Sequence, residues 1–206
     1  RPDTVAGTIE GSQSLAAMTA DNLPSGHVAS SSPTATASRE AFKAFDQTTG
    51  DCWLPATSGW LRRQLPAALK AAKYAIISSS SSSLVNEAPT AWTFEGSNDG
   101  SAWTVLDTRS SITWTGGVAS QRQEFTITAG NRANYTYYRL NYSAVGGGGT
   151  KLSIQELEIL KQDPDTYSAI DLRSVAFTAV AAPSVASLTV AATAVGGSIT
   201  PNTNLI

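Results

Sequence analysis

The sequence is poor in most of the groups that carry catalysis or cross-linking. Its 206 residues include one cysteine, one histidine and one methionine. A single cysteine, Cys52, excludes an intrachain disulfide framework and a cysteine-based zinc cluster. A single histidine, His27, makes histidine-rich metal sites and histidine-dependent catalysis poor fits, and His27 is expected in a turn or at the surface. Charge is sparse as well: charged residues are 15% of the chain, against roughly 25% in soluble domains at large. Fourteen basic and sixteen acidic residues leave a net charge of −2. That balance excludes a strongly basic nucleic-acid binder and a polybasic membrane binder. No apolar run reaches the ~18 residues of a membrane-spanning helix, so no membrane insertion is expected. No Gly-x-Ser-x-Gly elbow is present, and the glycine run 146–149 lacks the glycine directly before lysine that a phosphate loop needs, since Thr150 precedes Lys151. Enzymatic activity is therefore not expected. The chain opens Arg1-Pro2-Asp3 with no initiator methionine or signal-peptide pattern, which reads as an internal stretch of a longer polypeptide.

What is there is a Ser/Thr/Ala/Gly-rich chain with 41% hydrophobic residues and five tryptophans, a composition that suits extracellular or virion β-proteins. From His27 onward short apolar-polar alternations are separated by turn signals. Candidate strands are Trp60-Leu61-Arg62-Arg63-Gln64-Leu65, Ala72-Lys73-Tyr74-Ala75-Ile76-Ile77, Trp92-Thr93-Phe94-Glu95-Gly96-Ser97 and Trp103-Thr104-Val105-Leu106, followed by segments at 124–128, 137–142 and 152–160. Asn98-Asp99-Gly100 between two of these is a strong hairpin signal, because the tight turn wants positive φ. Only residues 39–45 offer a helical pattern. Many short strands with regular turns predict an all-β sandwich or barrel. The serine run 78–83 and the glycine run 146–149 read as surface tips. After Asp163-Pro164-Asp165 the composition shifts, and from residue 174 to 206 there is no charged residue. Val175, Phe177, Leu188 and Val190 have strand-like spacing there. The chain is expected to divide into a connecting segment (1–19), a β-sandwich (20–162), and a linker with the start of a second β-rich segment or an interaction arm (163–206).

An ordered series of motifs carries a family resemblance. Ala29-Ser30-Ser31 is followed by Ala44-Phe45-Asp46 with Trp53 seven residues on, then Gly59-Trp60-Leu61 and Gln64-Leu65-Pro66. The block from Pro89 through Trp92 and Gly96-Ser97-Asn98-Asp99-Gly100 to Trp103 comes next, and Tyr137-Tyr138-Arg139-Leu140 and Ile154-Gln155-Glu156-Leu157-Glu158-Ile159 close the series. In this order and spacing, residues 18–160 resemble the discoidin family, the galactose-binding-like domains also called coagulation factor V/VIII type C domains. The resemblance implies a discoidin-like jelly-roll β-sandwich that binds and does not catalyse. Met18-Thr19-Ala20-Asp21-Asn22 with Pro24-Ser25-Gly26, and Ala72-Lys73-Tyr74 in the third strand, look like copies embedded in phage tail and tail-fibre proteins. On that resemblance the chain is expected to be a virion binding module contacting host cell-surface glycans, with other virion proteins as partners and a homo-oligomeric state. The alternatives are a structural, decorating virion domain without sugar binding, and an accessory carbohydrate-binding module of a secreted bacterial enzyme.

Site residues follow from the same resemblance. Family members hold a structural calcium ion between the signature loop and the last strand, and Asp46, Asp51 and Glu156 fall at matching places. Calcium takes six to eight oxygens, so the residue types suit it. Ligands meet the loops at one end of the sandwich, here 31–40, 51–58, 78–87 and 144–149, where Arg39, Glu40, Asn86 and Glu87 can bond hydroxyls. Trp114 and Tyr142 are the candidate stacking aromatics. Trp53, Trp60 and Trp92 match core positions, and Trp103 is expected half-buried. Sugar-binding members carry a histidine after the signature tryptophan and an arginine in the next loop. Leu54 and the serine run stand there instead, so the galactose pattern is not reproduced. Cys52 is expected to be a small buried hydrophobe. The sequons at Asn134 and Asn141 lie beside predicted strands and read as chance.

Overall fold

The computed structural model describes residues 15–35 and 38–161; the strand spacing expected at Val175, Phe177, Leu188 and Val190 lies outside them. Eight strands follow in order: β1 (Val28–Ser32), β2 (Cys52–Leu54), β3 (Gly59–Ser78), β4 (Pro89–Ser97), β5 (Thr104–Arg109), β6 (Arg122–Thr126), β7 (Asn134–Val145) and β8 (Leu152–Lys161). The helical pattern over 39–45 reduces to one 3-10 turn, Ala41–Ala44, whose two alanines are buried.

The two candidate strands around Trp60 and Tyr74 are one strand of 20 residues, β3. Its first part pairs with β1 and β7, and its second part with β8 and β6. The register with β7 slips between Gln64 and Leu69, around Pro66. Proline has no N–H to give the ladder and sits at such irregularities. There β3 leaves one sheet, β1-β3-β7-β4-β5, and enters the other, β2-β8-β3-β6.

The aromatic core is built between these sheets. Tyr74 of β3 stacks on Phe94 of β4 at 4.1 Å between centroids and on Phe125 of β6 at 5.2 Å, and Trp92 meets Phe125 edge-on at 5.1 Å. Such pairs contribute about 0.5–1.5 kcal/mol beyond area burial. The Tyr74 hydroxyl donates to Asp107 Oδ2 (2.7 Å) and accepts from Trp92 Nε1 (2.8 Å), so burial leaves neither group unsatisfied. Burial also pushes the Tyr74 hydroxyl above its ordinary range. The expected hairpin is present, with β4 and β5 joined through residues 98–103. Gly100 takes φ +72°, and Asp99 Oδ1 accepts from the Ser101 and Ala102 N–H groups, both at 2.8 Å.

Three expectations are corrected by packing. Trp92 is core, but Trp53 and Trp60 are only half-buried. In β3 the inward set is Leu61, Arg63 and Leu65, which turns Trp60 outward. Arg63 is 3% exposed, with its guanidinium 5.5 Å from the Phe45 ring and Nη2 3.2 Å from His27 Nδ1. Burial brings the Arg63 pKa down to about 10. His27 is therefore buried rather than a surface residue, and its pKa is lowered by burial and by Arg63.

Candidate functional site

One end of the sandwich gathers four loops. β2 has only three residues, and their alternation decides the site: Cys52 and Leu54 point inward, so Trp53 between them points out. The Trp53 N–H donates to Arg39 O (3.2 Å), which holds the 38–40 segment beside β2. Trp53 pairs with Ser153 of β8, which brings the residues just before β8 alongside the ring. The Arg39 guanidinium carbon lies 4.6 Å from the Trp53 ring centroid, and the Lys151 ammonium 4.8 Å. Trp53 Nε1 is buried with no hydrogen-bond partner among the described residues.

The fourth loop enters through Glu87. Its Oε2 accepts from the Thr150 and Lys151 N–H groups at 2.8 and 2.9 Å, and its Oε1 lies 3.5 Å from Lys151 Nζ. Glu87 thus fixes the glycine loop rather than facing solvent. That loop is a free tip only at Gly147 and Gly148: a Cβ on Gly146 would meet Asn86 O at 2.7 Å, and one on Gly149 would run into the same oxygen. The packing leaves Asn86 exposed, and its side-chain amide makes no hydrogen bond among the described residues. Glu40 Oε1 accepts from the Ser38 N–H at 3.0 Å.

The expected site residues therefore separate. Arg39 lies on the Trp53 ring with no guanidinium hydrogen bond among the described residues, Glu40 follows it in the chain, Asn86 is exposed in the loop that packs on the glycine run, and Glu87 is scaffold. Tyr142 is corrected: it is 1% exposed, with its hydroxyl donating to Ala56 O at 3.3 Å. Trp114 is half-buried against the core, with Nε1 donating to Pro89 O at 2.9 Å, so it is not a free stacking face. Trp53 and Lys151 were not expected at the site. The signal for Trp53 was in the sequence, because a tryptophan between two inward apolar neighbours in a strand must face the other way.

The three carboxylates do not form one set. Asp51, 2% exposed, accepts from Ser79 Oγ, from the Ser80 N–H (2.9 Å) and from Ser153 Oγ (3.4 Å). The serine run is thus partly interior, with Ser78 and Ser79 fully buried. Asp46 and Glu156 do meet: the Thr48 N–H donates to Asp46 Oδ1 (2.9 Å) and to Glu156 Oε1 (3.2 Å). Burial, then the neighbouring Asp46, pushes Glu156 up to about 8. Lys43 Nζ lies 3.3 Å from Asp46 Oδ2. No group of three or more His, Cys, Asp or Glu that could hold a metal is found among the described residues. As a three-carboxylate calcium set these residues do not fit, because Asp51 is spent on serines. Only the Asp46–Glu156 pair has the charge a cation would relieve. Cys52 is fully buried, and burial pushes its thiol up, as expected of an inert small hydrophobe.

No family model matches the sequence, and no curated protein sequence does. Solved structures do match. The family 32 carbohydrate-binding module of Clostridium perfringens NanJ, in complex with galactose, aligns with a TM-score of 0.52 at 20% identity, over 65% of this chain and 93% of that one. Another family 32 module, from a family 31 glycoside hydrolase of Clostridium perfringens, gives 0.53 at 16% identity, over 65% and 90%. Chitosan-binding module 1 from a chitosanase/glucanase of Paenibacillus sp. IK-5, as a point mutant, gives 0.51 at 18% identity, over 65% and 92%. These neighbours share the discoidin, or galactose-binding-like, fold. At such identities the likeness defines the fold: this chain carries a β-sandwich of the kind found in carbohydrate-binding modules.

Proposed function

We propose that this chain is a non-catalytic glycan-binding module that binds through the apex around Trp53. The observation that carries the reading is the half-buried indole at the loop end, flanked by Arg39 and Lys151. An aromatic face packs against the C–H face of a sugar, and fixed polar donors around it select hydroxyls. Supporting the reading, the structural neighbours include modules in complex with galactose, with GalNAc-β-1,3-galactose and with 4,5-unsaturated mannuronic acid. Leu54 is fully buried where galactose binders have histidine, so a ligand other than simple galactose is proposed.

The neighbours come from a chitosanase/glucanase, a glycoside hydrolase and a protein with an alginate lyase domain. They favour an accessory module of a secreted bacterial carbohydrate-active protein. The phage-tail setting, with virion partners and a homo-oligomer, gains no support from them. Among the described residues no helix is long and apolar enough to cross a membrane. Within this proposal a calcium ion would be held by Asp46 and Glu156 without Asp51, steadying the 46–48 turn.

A glycan array with the full chain, run with calcium and again with EDTA, tests the proposal. Binding of a defined glycan class is expected. Binding lost in EDTA would assign the calcium a role, and binding indifferent to EDTA would remove it. A folded chain that binds no glycan would overturn the proposal in favour of a structural role.

A further inference from the structure

We propose a second carbohydrate-binding surface, separate from the apex: the outer face of the β1-β3-β7-β4 sheet, centred on Arg62 between Trp60 and Tyr137, for an acidic polysaccharide chain. Strand alternation builds this face. Along β3, Trp60, Arg62 and Gln64 point out, and along β7, Tyr137, Arg139 and Asn141 do. Pairing sets Trp60 opposite Asn141, Arg62 opposite Arg139 and Gln64 opposite Tyr137.

Two arginines directly opposed on neighbouring strands are unfavourable unless each finds compensation. Arg139 has it: Nε bonds Glu95 Oε2, and the guanidinium carbon lies 4.0 Å from the Trp103 ring centroid. Arg62 has no carboxylate partner among the described residues. Its Nε donates to Ser30 Oγ (3.0 Å) and its Nη1 to Gly100 O (3.5 Å). The nearby Asp99 carboxylate is turned into its own loop, accepting from Ser97, Ser101 and Ala102. The Arg62 guanidinium carbon instead lies 5.0 Å from the Trp60 centroid and 5.7 Å from that of Tyr137.

The face thus presents one uncompensated cation between two half-buried rings, on paired strands that cannot rearrange freely. Arg62 Nη2 makes no hydrogen bond among the described residues, and a guanidinium nitrogen so placed can donate to a carboxylate or sulfate oxygen. Rings on either side offer apolar surface to sugar rings carrying that anion. Trp60, Arg62 and Tyr137 are each half-buried and follow one another along the paired strands, so the occupant proposed is a chain rather than a single sugar. Charge complementarity selects an acidic one.

The test is retardation of the full chain in native gels containing polygalacturonate, sulfated dextran or neutral dextran. The acidic polymers are expected to retard it and neutral dextran to do so less. Retardation by polygalacturonate alone assigns a carboxylate, and by sulfated dextran alone a sulfate; both outcomes support the site. Arg62→Gln is expected to weaken retardation about tenfold, a change of roughly 1.4 kcal/mol. Arg62→Lys, which keeps the charge and loses the fork, should fall between. Trp60→Ala should follow Arg62→Gln, while Trp53→Ala should leave this binding unchanged even if it abolishes array binding. Thermal melts show that each variant is folded. The proposal is overturned if no acidic polymer binds, if Arg62→Gln and Trp60→Ala bind as the parent, if Trp53→Ala removes this binding too, or if polyglutamate or DNA competes equally well.

Discussion

Among the described residues three arginines lie on tryptophan rings; Arg139 on Trp103 is bonded to Glu95 as well, whereas Arg39 on Trp53 and Arg62 on Trp60 have no carboxylate partner and are held in different ways. Arg62 stands in the middle of a strand, locked by pairing on both sides and already donating to Ser30 and Gly100. Arg39 stands in a loop fixed by a single backbone bond to Trp53, with no hydrogen bond from its guanidinium among the described residues. The sheet face therefore offers charge and flat rings, while the apex offers free donors around one ring. Discrimination among sugars by hydroxyl position needs unspent donors, so on the proposed reading fine specificity is expected at the apex.

The sharpest way to break the apex alone is from beneath. Asp51→Ala would leave the Ser79 hydroxyl, the Ser80 N–H and the Ser153 hydroxyl without their acceptor. Unsatisfied buried groups cost about 1–3 kcal/mol each. A loss of about 3 kcal/mol is expected, or roughly 10 °C in melting temperature by calorimetry. Apex binding should fall with it, and the sheet face should still bind acidic polymer below the melting point.

A smaller effect is expected in the glycine loop. Gly149→Ala drives a Cβ into Asn86 O, an overpacking worth about 1–3 kcal/mol, and should weaken glycan binding by displacing Asn86. Gly147 has nothing within 4 Å of the added carbon, so Gly147→Ala is expected to stay within about 0.5 kcal/mol in denaturant unfolding.

The Asp46–Glu156 corner is expected to show itself as a pH dependence. The folded Glu156 pKa of about 8 stands above the ordinary 4.5, so the folded state holds the proton more tightly than the unfolded chain. In metal-free buffer its contribution is complete below pH 4.5 and is lost as pH rises toward 8. Glu156→Gln should flatten that slope in urea titrations at stepped pH. A variant with the parent's slope would remove Glu156 as the cause.

A small change is expected of Trp53→Phe. It removes the buried, unpartnered Nε1–H and keeps an aromatic face. Stability measured by thermal melting should be unchanged or higher by about 1 kcal/mol, with glycan binding retained.

The sandwich was legible because its motifs encode strand pairing. The Trp92–Trp103 block becomes the β4-β5 hairpin, and the closing Glu-Leu-Glu motif becomes β8. The join between the sheets was not, since Pro66 looked like a strand end and is instead where β3 changes partners. For the proposed site, Arg39 and Asn86 follow from loop position alone, whereas the family position of Trp53 points to the core and the Cys52–Leu54 alternation turns it outward. The serines of 78–83 looked bland because composition does not show that Ser79 and Ser80 close over Asp51. Tyr142 failed for the converse reason: a residue before a glycine loop can still be the inward member of its strand.

The most direct test of the central claim is calorimetric titration of the strongest array glycan into the parent chain, Trp53→Ala and Trp60→Ala. The account predicts that Trp53→Ala weakens binding at least about tenfold, some 1.4 kcal/mol, while remaining folded, and that Trp60→Ala binds as the parent. Parent-like affinity in Trp53→Ala would contradict it and move the glycan site away from the apex.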